Sequence, residues 1–527
     1  MALPLPNSIW PPPLLEGLKP AMNAWSAWYS GDPVDLREVY QIAQPANFDR
    51  PSQRRGGVVG AIARFWWGRP LTSGSASARE DQIHVPIAAD LCQASSDLMY
   101  AEPPTILADS PKESEAPSAT QMRIEAHIEG GLFSDLAAGA EVGAALGGRY
   151  HRVTWDNAVV PGRPFLTTID ADTALPEFRW GKLVGVTFWY VLSHKGQEVI
   201  RHVERHELAT DGTGLVFHGL YTGTPVNLGS PLDLAAHPDT AGLADKVDAE
   251  GAIIEGRTPG LLVEYVPNQT PQRRKAWRKH SLGRYLGRSD LDGIESEMDA
   301  LDETYSSLMR DLRLAKSRIL IPEYMMSPNA PGAGAAFDMD RDVYVPIKSA
   351  APEDGDASIT LNQFAIRVTD HLALCQELTE VILRSAGYSS QTFGENEGGG
   401  GAVTATEIVS RERRSYLTRD RKIRHEKPAV ARIMQKLLSI DAAVFAVEGL
   451  DFLNLPTVTF GDAVQESPLI LAQTAQFLFN AQAASTQTLV SLVHPDWDET
   501  RVKDEADLIT GAAEDAAPAD PFAPFGG

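Results

Sequence analysis

The clearest hydrophobic pattern in the chain lies between residues 289 and 317. Apolar side chains recur there in alternating steps of three and four, at Leu291, Ile294, Met298, Leu301, Tyr305, Leu308, Leu312 and Ala315. This heptad spacing predicts a helix of about seven turns with one narrow apolar seam. A seam of that width favours packing against one or two neighbouring helices, with the remaining faces exposed.

Two sequence motifs of the capping-box type predict further long helices. Thr360-Leu-Asn-Gln363 predicts the start of a helix that runs to Ala386, and Thr404-Ala-Thr-Glu407 predicts the start of a second one that runs to about Ser439. Pro428 lies inside the second helix, where the loss of a backbone hydrogen bond should kink it.

The first half of that second helix is unusually polar. Between residues 411 and 427 its only large apolar residues are Tyr416, Leu417 and Ile423. Such a helix rarely packs inside a monomer, so we expect it to bridge subunits or to line a surface.

The apolar period changes from helical to alternating between residues 150 and 266. Val, Trp, Tyr and Phe recur at every second position there, which predicts a β-rich region of antiparallel meanders. The predicted strands are 150–156, 183–192, 198–207, 214–221 and 261–266, and the stretch 225–259 is predicted to be a long surface loop.

Shorter elements complete the pattern. Helices are predicted at 35–43, 83–99, 124–148, 467–484, 488–493 and 499–509, and short strands at 319–326, 343–347 and 457–460. Residues 387–402 form a glycine-rich loop, and residues 511–527 have the composition of disordered segments. Helices and strands in separate runs predict the α+β class.

Composition narrows the class of protein. The 527 residues, 43% apolar and 22% charged, predict a globular chain of about three or four domains. Two cysteines exclude a disulfide scaffold and fit a reducing compartment. The proline-broken first residues do not resemble a signal peptide, and no apolar run predicts a membrane helix.

The charge is negative overall and unevenly distributed. A net charge of −23 argues against a protein that wraps nucleic acid by neutralising phosphates, although DNA could still pass such a protein without sticking. Residues 273–288 nevertheless carry seven basic side chains and no acidic one, and residues 411–436 carry ten basic and three acidic ones. From Asp441 onward there are fourteen acidic and two basic residues. Such asymmetry suggests that different segments face different neighbours.

Candidate catalytic groups are few. His202 and His206 stand four residues apart around Glu204, but the segment alternates like a strand, which would hold the histidines about 13 Å apart, too far for one metal ion. Asp170 and Asp172 beside a strand end suggest a turn more than a metal-nucleotide site. The sequence contains no P-loop and no nucleophile elbow. The absence of a catalytic constellation favours a structural role without cofactor or metal.

Three blocks carry a family resemblance. GRSDLDGIESEMDALDETYSSLMRDLRLAKSRILIP (287–322), GGGGAVTATEIVSRERRSYLTRDRKIR (398–424) and IHVPIAADLCQASSDLMYAEPPTI (83–106) are similar to the portal proteins of tailed double-stranded-DNA bacteriophages, in particular those of long-tailed phages of actinobacteria. The similarity extends over about residues 60–510.

The resemblance implies the α+β portal fold. Carried onto this chain, it implies a β-rich wing (1–288), a stem of two helices (289–317 and 360–386), a small α/β clip (318–359), a tunnel loop (387–402), a long kinked helix (403–440), a helical crown (441–510) and a disordered tail (511–527). Whether the heptad helix belongs wholly to the stem or partly to the wing stays open.

The resemblance also implies a function. Portal proteins form a ring of twelve subunits at one capsid vertex, through which the genome is packaged and ejected, and they are not enzymes. The implied partners are double-stranded DNA, the terminase large subunit, the head-completion adaptor, and the major capsid and scaffold proteins, in the virion and, during assembly, in the host cytoplasm. The alternatives are another oligomeric virion component, such as a head-completion or scaffold-like protein, and a metal-dependent cytosolic enzyme.

The same carry-over predicts three groups of site residues. The tunnel loop that faces DNA comprises Phe393, Gly394, Glu395, Asn396, Glu397, Gly398, Gly399, Gly400 and Gly401. Contacts to a neighbouring subunit or to DNA are predicted for Arg411, Arg413, Arg414, Arg419, Arg421, Lys422 and Arg424. Docking of partners at the clip is predicted for Tyr324, Met325, Met326, Asp338, Arg341 and Tyr344.

Overall fold

The computed structural model divides the chain into two compact units. One comprises Met1–Glu397 and Glu412–Gly461, and the other comprises Gly398–Arg411 and Asp462–Gly527. The structure describes residues 3–42, 83–108, 117–248, 251–253, 258–314, 318–322, 344–347, 360–362, 368–394, 405–461, 468–494, 497 and 499–515.

Most helices and most strands lie in separate stretches of the chain, which is the pattern of the α+β class. The helices are α1 (Lys19–Ser30), α2 (Pro33–Ile42), α3 (Ile87–Tyr100), α4 (Ala119–Glu129), α5 (Leu132–Leu146), α6 (Pro238–Ala241), α7 (Lys275–Lys279), α8 (Glu295–Leu314), α9 (Val368–Ala386), α10 (Ala405–Ala443), α11 (Pro468–Asn480), α12 (Thr486–Val493) and α13 (Glu499–Asp515). The strands are β1 (Thr105–Leu107), β2 (Gly148–Thr154), β3 (Phe165–Asp170), β4 (Ala174–Arg179), β5 (Lys182–Lys195), β6 (Glu198–Leu208), β7 (Thr213–Thr224), β8 (Asn227–Leu232), β9 (Thr258–Pro259), β10 (Val263–Pro267), β11 (Arg318–Pro322), β12 (Tyr344–Ile347), β13 (Thr360–Asn362) and β14 (Thr457–Thr459).

The β-rich region is the antiparallel meander that the alternating pattern predicts. Strands β4 to β8 are neighbours in chain order, and β9 pairs with the edge of β7. A separate antiparallel sheet has the order β10-β2-β3. The predicted surface loop 225–259 is wrong in part, because it contains β8, α6 and β9, and β3 and β4 were not predicted. Pro231 and Pro259 weaken the strand signal at these positions.

The tryptophan-rich amino-terminal segment packs into the main hydrophobic core. Trp25 and Trp28 are completely buried, and Trp28 makes an edge-to-face contact with Tyr40 at a centroid distance of 5.6 Å. The Trp25 indole donates to Glu295 (2.9 Å) and the Tyr40 hydroxyl donates to Asp302 (2.6 Å). These bonds attach the first two helices to α8.

The heptad helix α8 begins six residues later than predicted. Ser289 donates to the carbonyl of Ala145 (2.5 Å) and the Asp290 amide donates to that of Ala144 (2.9 Å), which ties the chain to the end of α5. Gly293 has φ of 89°, a left-handed value that interrupts a helix. The apolar seam is confirmed as far as Leu308, since Met298 and Leu301 are fully buried and α8 packs on α9. Leu312 is 40% exposed, and Ala315 lies outside the described residues.

The capping box at Thr360 does not start a helix. Thr360–Asn362 is a strand that pairs antiparallel with β11, while β12 pairs parallel with β11 on its other side. The pairing with β11 occupies these backbone groups, so a four-residue helix signal is overridden by strand partners distant in the sequence. Helix α9 accordingly starts at Val368 rather than at residue 360.

The single helix predicted at 124–148 is two helices. The break falls at Gly130 and Gly131, and Gly131 has φ of 98°. A glycine pair permits this left-handed geometry without a steric cost, and α5 starts immediately after it. The helix predicted at 83–99 exists but begins at Ile87, after Pro86.

The smaller unit is helical, as predicted for this part of the chain. Helix α11 packs on α12, and α12 packs on α13. Helix α13 continues to Asp515, so the first five residues of the predicted disordered tail are helical. Among the helices that the structure describes, none combines the length and apolarity needed to cross a bilayer.

Candidate functional site: the long helix and the start of the glycine-rich loop

Helix α10 buries a polar face. Ser415, Thr418, Arg419, Lys422 and Glu426 are each at most 7% exposed. Apart from Arg419, which directly follows Thr418, they recur in steps of three and four, which places them on one side of a helix. The expectation that this polar segment does not pack inside a monomer is therefore wrong. Its polar side chains are buried against polar groups of the same chain, where a helix usually buries apolar side chains.

Lys422 and Asp290 form the centre of this face. The Lys422 ammonium lies 2.5 Å from Asp290 Oδ2, and both residues are 3% exposed. Asp290 Oδ2 also accepts from the Tyr388 hydroxyl (2.8 Å), and the ammonium donates to Ser95 as well. The pair thus joins α10 to α3, to the residues before α8 and to the residues after α9.

The other carboxylate oxygen of Asp290 is satisfied from the β-rich region. The side-chain amides of Asn268 and Gln269 donate to Asp290 Oδ1 at 2.8 and 2.7 Å. With a cation and three neutral donors, the buried carboxylate has the compensation that such a charge requires. Asp290 is therefore the point where several distant segments of the larger unit meet.

Burial dominates the electrostatics of this cluster. It lowers the pKa of Lys422, and the neighbouring Asp290 opposes that shift. Burial and the Asp290 charge together raise the pKa of Tyr388, and burial raises that of the Cys92 thiol. The phenol and the thiol therefore stay neutral near neutral pH, and the Lys422–Asp290 ion pair is the charged centre of the cluster.

The same helix makes further ion pairs towards its carboxyl end. Glu426 lies 2.5 Å from Arg149 and accepts from the Tyr100 hydroxyl. Lys436 and Arg432 both lie 2.6 Å from Glu264, and Asp441 lies 2.5 Å from Arg123. Between these pairs, Val430, Ile433, Met434 and Leu437 are buried in a second hydrophobic cluster.

The first residues of the glycine-rich loop (387–402) are bound to the start of this face. Gly387 ends α9 with φ of 102°, and its carbonyl accepts from Thr418 (2.7 Å). The Ser389 amide donates to Ser415 (2.9 Å), and the Thr392 hydroxyl lies 2.7 Å from the same oxygen. The chain is thus attached to α10 on its way into the loop.

The predicted tunnel-loop residues divide at Gly394. Phe393 is partly buried, with its ring against that of Tyr388 at a centroid distance of 6.4 Å, so it belongs to the core rather than to a projecting loop. Gly394 is exposed with φ of 76°. Glu395, Asn396, Glu397, Gly398, Gly399, Gly400 and Gly401 lie outside the described residues.

The predicted contact residues on α10 fall into two sets. Arg419 donates to the carbonyls of Leu98 (2.6 Å) and Gly461 (2.5 Å), and Lys422 is buried as described. Both side chains therefore bind within the chain, and neither is exposed for the predicted contact to DNA or to a neighbouring subunit. Arg413, Arg421 and Arg424 are exposed, and Arg414 is exposed while it donates to the Arg384 carbonyl (2.6 Å). The Arg411 side chain lies outside the description.

The two basic segments of the sequence meet on this helix. Arg421 of α10 and Arg273 both lower the pKa of Arg288, in addition to the larger effect of burial. Thr270 and His425 are joined by a hydrogen bond of 3.0 Å. Residues 270–288 and 421–425 therefore lie close together, and the exposed side chains of Arg273, Arg421 and Arg424 form a basic surface there.

Most of the predicted clip residues lie outside the residues that the structure describes. Tyr344 is the first residue of β12, and Tyr324, Met325, Met326, Asp338 and Arg341 lie outside the described residues. Strands β11 and β13 border this segment in sequence.

The candidate enzyme residues form a structural polar cluster. His202, Glu204 and His206 lie on β6, where His206 Nε2 is 2.6 Å from Glu204 and His202 Nε2 is 3.1 Å from His218 of β7. Burial would raise the pKa of Glu204, but Arg152 and His206 bring it well below its usual value. Within the described part of the chain, no three His, Cys, Asp or Glu side chains are arranged to hold a metal ion.

Asp170 is the last residue of β3, and Asp172 lies within the single helical turn that follows it. Burial raises the pKa of both, and the Asp172 charge raises that of Asp170 further. They lie at the end of a strand, in the turn that the sequence suggests.

Comparison with known proteins decides the family. A family model described as phage portal protein, SPP1 Gp6-like, matches residues 75–519. The chain belongs to the phage portal protein family. A search of curated proteins finds no match.

Membership gives the described site its context. The family match includes the whole of α8, α9 and α10 and the loop between the last two, so the polar face of α10 is part of the portal chain proper. Sequence reasoning missed Asp290, Tyr388 and Ser415. The spacing of Ser415, Thr418, Lys422 and Glu426 was the one available signal, since it has the period of a buried helix face without its apolar residues.

Proposed function

We propose that this portal protein forms a ring of twelve copies at one vertex of the capsid, and that the ring is the channel for packaging and ejecting the genome. The observation that carries the proposal is the family match over residues 75–519. The role is structural, with no cofactor and no nucleotide hydrolysis by this chain. A separate terminase supplies the motor.

The residues after Gly394 would form the lining of the channel. Glu395 and Glu397 carry negative charge, which repels phosphate and lowers the energy that holds DNA in place during translocation. The glycines at 398–401 allow this segment to change its backbone conformation as DNA passes. The attachment of Ser389 and Thr392 to Ser415 supports this assignment, because a moving loop needs a fixed base.

The basic surface around Arg273, Arg421 and Arg424 would contact an acidic face of the neighbouring subunit. The net charge of −23 provides such faces, and exposed arginines of one copy paired with carboxylates of the next favour a closed ring. Direct contact with DNA is the alternative role for the same residues.

The segment 318–359 would dock the partners outside the capsid. It would bind the terminase large subunit during packaging and the head-completion adaptor afterwards, with Tyr324, Met325, Met326, Asp338, Arg341 and Tyr344 as candidate contacts. The major capsid and scaffold proteins would surround the ring in the virion, after assembly in the host cytoplasm.

The mass and symmetry of the purified protein test the proposal. Twelve copies of 57.1 kDa give about 685 kDa by light scattering, and electron-microscope class averages should show a ring with a central hole. Thirteen copies would keep the channel and change only the count. A monomer or dimer at high concentration would contradict self-assembly of the ring.

A further inference from the structure

An apolar groove lies within the helices of the smaller unit. It has a volume of about 300 Å³ and is lined by side chains of α11, α12 and α13, including Ala475, Phe479, Leu489, Val490, Val493 and Ile509. Leu489 and Val490 form a buried floor, while Phe479 is 64% exposed and Ile509 is 44% exposed at the rim. So much exposed apolar surface around one groove marks a binding site.

One end of the groove is held by a stack of rings. His494, which lines the groove, is stacked on Trp497 with 3.9 Å between the ring centroids, and the Arg501 guanidinium lies 4.1 Å from the centroid of the Trp497 ring. Trp497 also packs against Val490, Val502 and Ala506. The groove is therefore preformed at this end.

The residues that directly follow α13 have the chemistry to fill it. Residues 516–527 read AAPADPFAPFGG and carry two aromatic side chains, Phe522 and Phe525, each directly after a proline. Prolines favour the polyproline II conformation, which has three residues per turn, so residues 522 and 525 would lie on the same side about 9 Å apart. The prolines also lower the entropy lost when the segment is ordered on binding.

The distances along the chain allow the segment to reach the groove. Ile509 precedes Asp515 by six residues of helix, or about 9 Å. The seven residues from Asp515 to Phe522 span up to about 24 Å when extended, which is enough to return to Ile509 and to continue towards Phe479.

We propose that residues 516–527 dock in the groove of their own chain, with Phe522 and Phe525 against the apolar lining. The composition of the segment, which alone predicts disorder, is then that of a ligand that becomes ordered in a site made by α11, α12 and α13. The inference concerns the smaller unit and does not depend on the proposed channel.

Binding of the segment as a peptide tests the docking. A fluorescein-labelled peptide of residues 514–527 is titrated with the protein from which residues 516–527 have been removed, and fluorescence anisotropy is measured. We expect saturable binding that weakens at least tenfold when both phenylalanines of the peptide are alanine. No binding at millimolar protein, or equal binding by the alanine peptide, would overturn the proposal.

A matched pair of variants on α11 tests the location. Phe479→Ser removes a groove-lining ring that is already 64% exposed, so the fold should survive, and we expect at least a tenfold loss of peptide affinity. Phe477→Ser is the control, because this ring is 73% exposed on the same helix and does not line the groove. Equal losses in the two variants would contradict docking at this site.

Photo-crosslinking tells whether the occupant comes from the same chain. With p-benzoylphenylalanine at position 522 of the full chain, irradiation should give a crosslink within a single chain, mapped by mass spectrometry to peptides of residues 475–509. Crosslinks found only in chain dimers would overturn docking in the same chain. Crosslinks to peptides outside the groove would overturn the site.

Discussion

The Lys422 ammonium and the Asp290 carboxylate lie 2.5 Å apart, and neither is accessible to solvent. The pair joins residues separated by 132 positions in the sequence, and Tyr388, Ser95, Asn268 and Gln269 complete its hydrogen bonds. A buried pair is costly to form but still more costly to break, since the remaining charge has no partner.

Replacement of Lys422 by Met should destabilise the protein strongly. Asp290 would stay buried without its cation, which costs about 3–5 kcal/mol of unfolding free energy. Urea denaturation followed by circular dichroism measures the loss. The control is Lys427→Met on the same helix, where the side chain is exposed and the change should stay within about 0.5 kcal/mol.

A second substitution tests the mechanism of that loss. Asp290→Asn in the Lys422→Met background removes the uncompensated charge and keeps an oxygen for Asn268 and Gln269. The double variant should recover more than about 1 kcal/mol relative to Lys422→Met. Additive losses would show that the pair does not act as a unit.

The buried His218 should make stability fall as the solution becomes acidic. Burial lowers its pKa from 6.5 to about 4, so between these values the unfolded chain binds a proton that the folded chain does not. The contribution of His218 to the unfolding free energy is therefore fully present above pH 6.5 and is lost as the pH falls towards 4. At one pH unit per 1.4 kcal/mol, about 2 kcal/mol should be lost by pH 5 through this group.

The variant His218→Gln isolates this contribution. Glutamine cannot titrate, so the loss of unfolding free energy between pH 7 and pH 5 should be smaller than in the unsubstituted protein by about 2 kcal/mol. His194→Gln, at an exposed position on β5, two strands away from β7 in the same sheet, is the control. Identical pH profiles for His218→Gln and the unsubstituted protein would disprove the assignment.

Two glycines in the first part of the glycine-rich loop should respond differently to replacement by alanine. Both Gly387 and Gly394 have left-handed φ values, so each Ala variant pays a backbone cost of about 1 kcal/mol. At Gly387 an added Cβ would also lie 2.8 Å from Thr418 Oγ1, whereas no atom lies within 4 Å at Gly394. Gly387→Ala should therefore lower the thermal midpoint more than Gly394→Ala, and the reverse order would contradict the described base of the loop.

Charge reversal in the loop tests the proposed channel. With Glu395 and Glu397 both replaced by Lys, the lining would attract phosphate, and packaging or ejection of DNA should be impaired while the ring still assembles. The measurements are the DNA content per particle, the ejection rate and electron microscopy of the rings. Unchanged DNA content and infectivity would contradict a lining role for the loop.

Charge reversal on the basic surface separates its two proposed roles. If Arg421 and Arg424 contact a neighbouring subunit, the double replacement by Glu should shift the mass of the assembly towards smaller species. If they contact DNA, rings should stay intact and packaging should fail. If neither effect is observed, these side chains form a solvated face.

The elements with a regular apolar period could be predicted from the sequence. The seam of α8 buries one face of that helix, and the β-branched and aromatic residues of β5, β6 and β7 mark them as strands, although Gly185–Trp189 of β5 are buried on both faces. The family resemblance predicted from three blocks is confirmed by the match over residues 75–519. Bounds were less predictable, since Gly293 and the pairing of β13 with β11 moved two helix starts.

The buried polar face of α10 could not be predicted in the same way. Ser415, Arg419 and Lys422 resemble solvent-exposed residues because their partners lie far away in the sequence. Asp290 is the extreme case, as nothing near it indicates Lys422, Tyr388 or Asn268. A polar cluster of this kind becomes visible only when the fold brings its members together.

The long helix has a mechanical consequence. From Ser415 to Asp441 it extends about 39 Å, and it is bonded to the larger unit near both ends and between them. A pull along its axis would load these bonds in parallel, as shear, so that no single bond would carry the force alone. The helix would then act as a fixed strut.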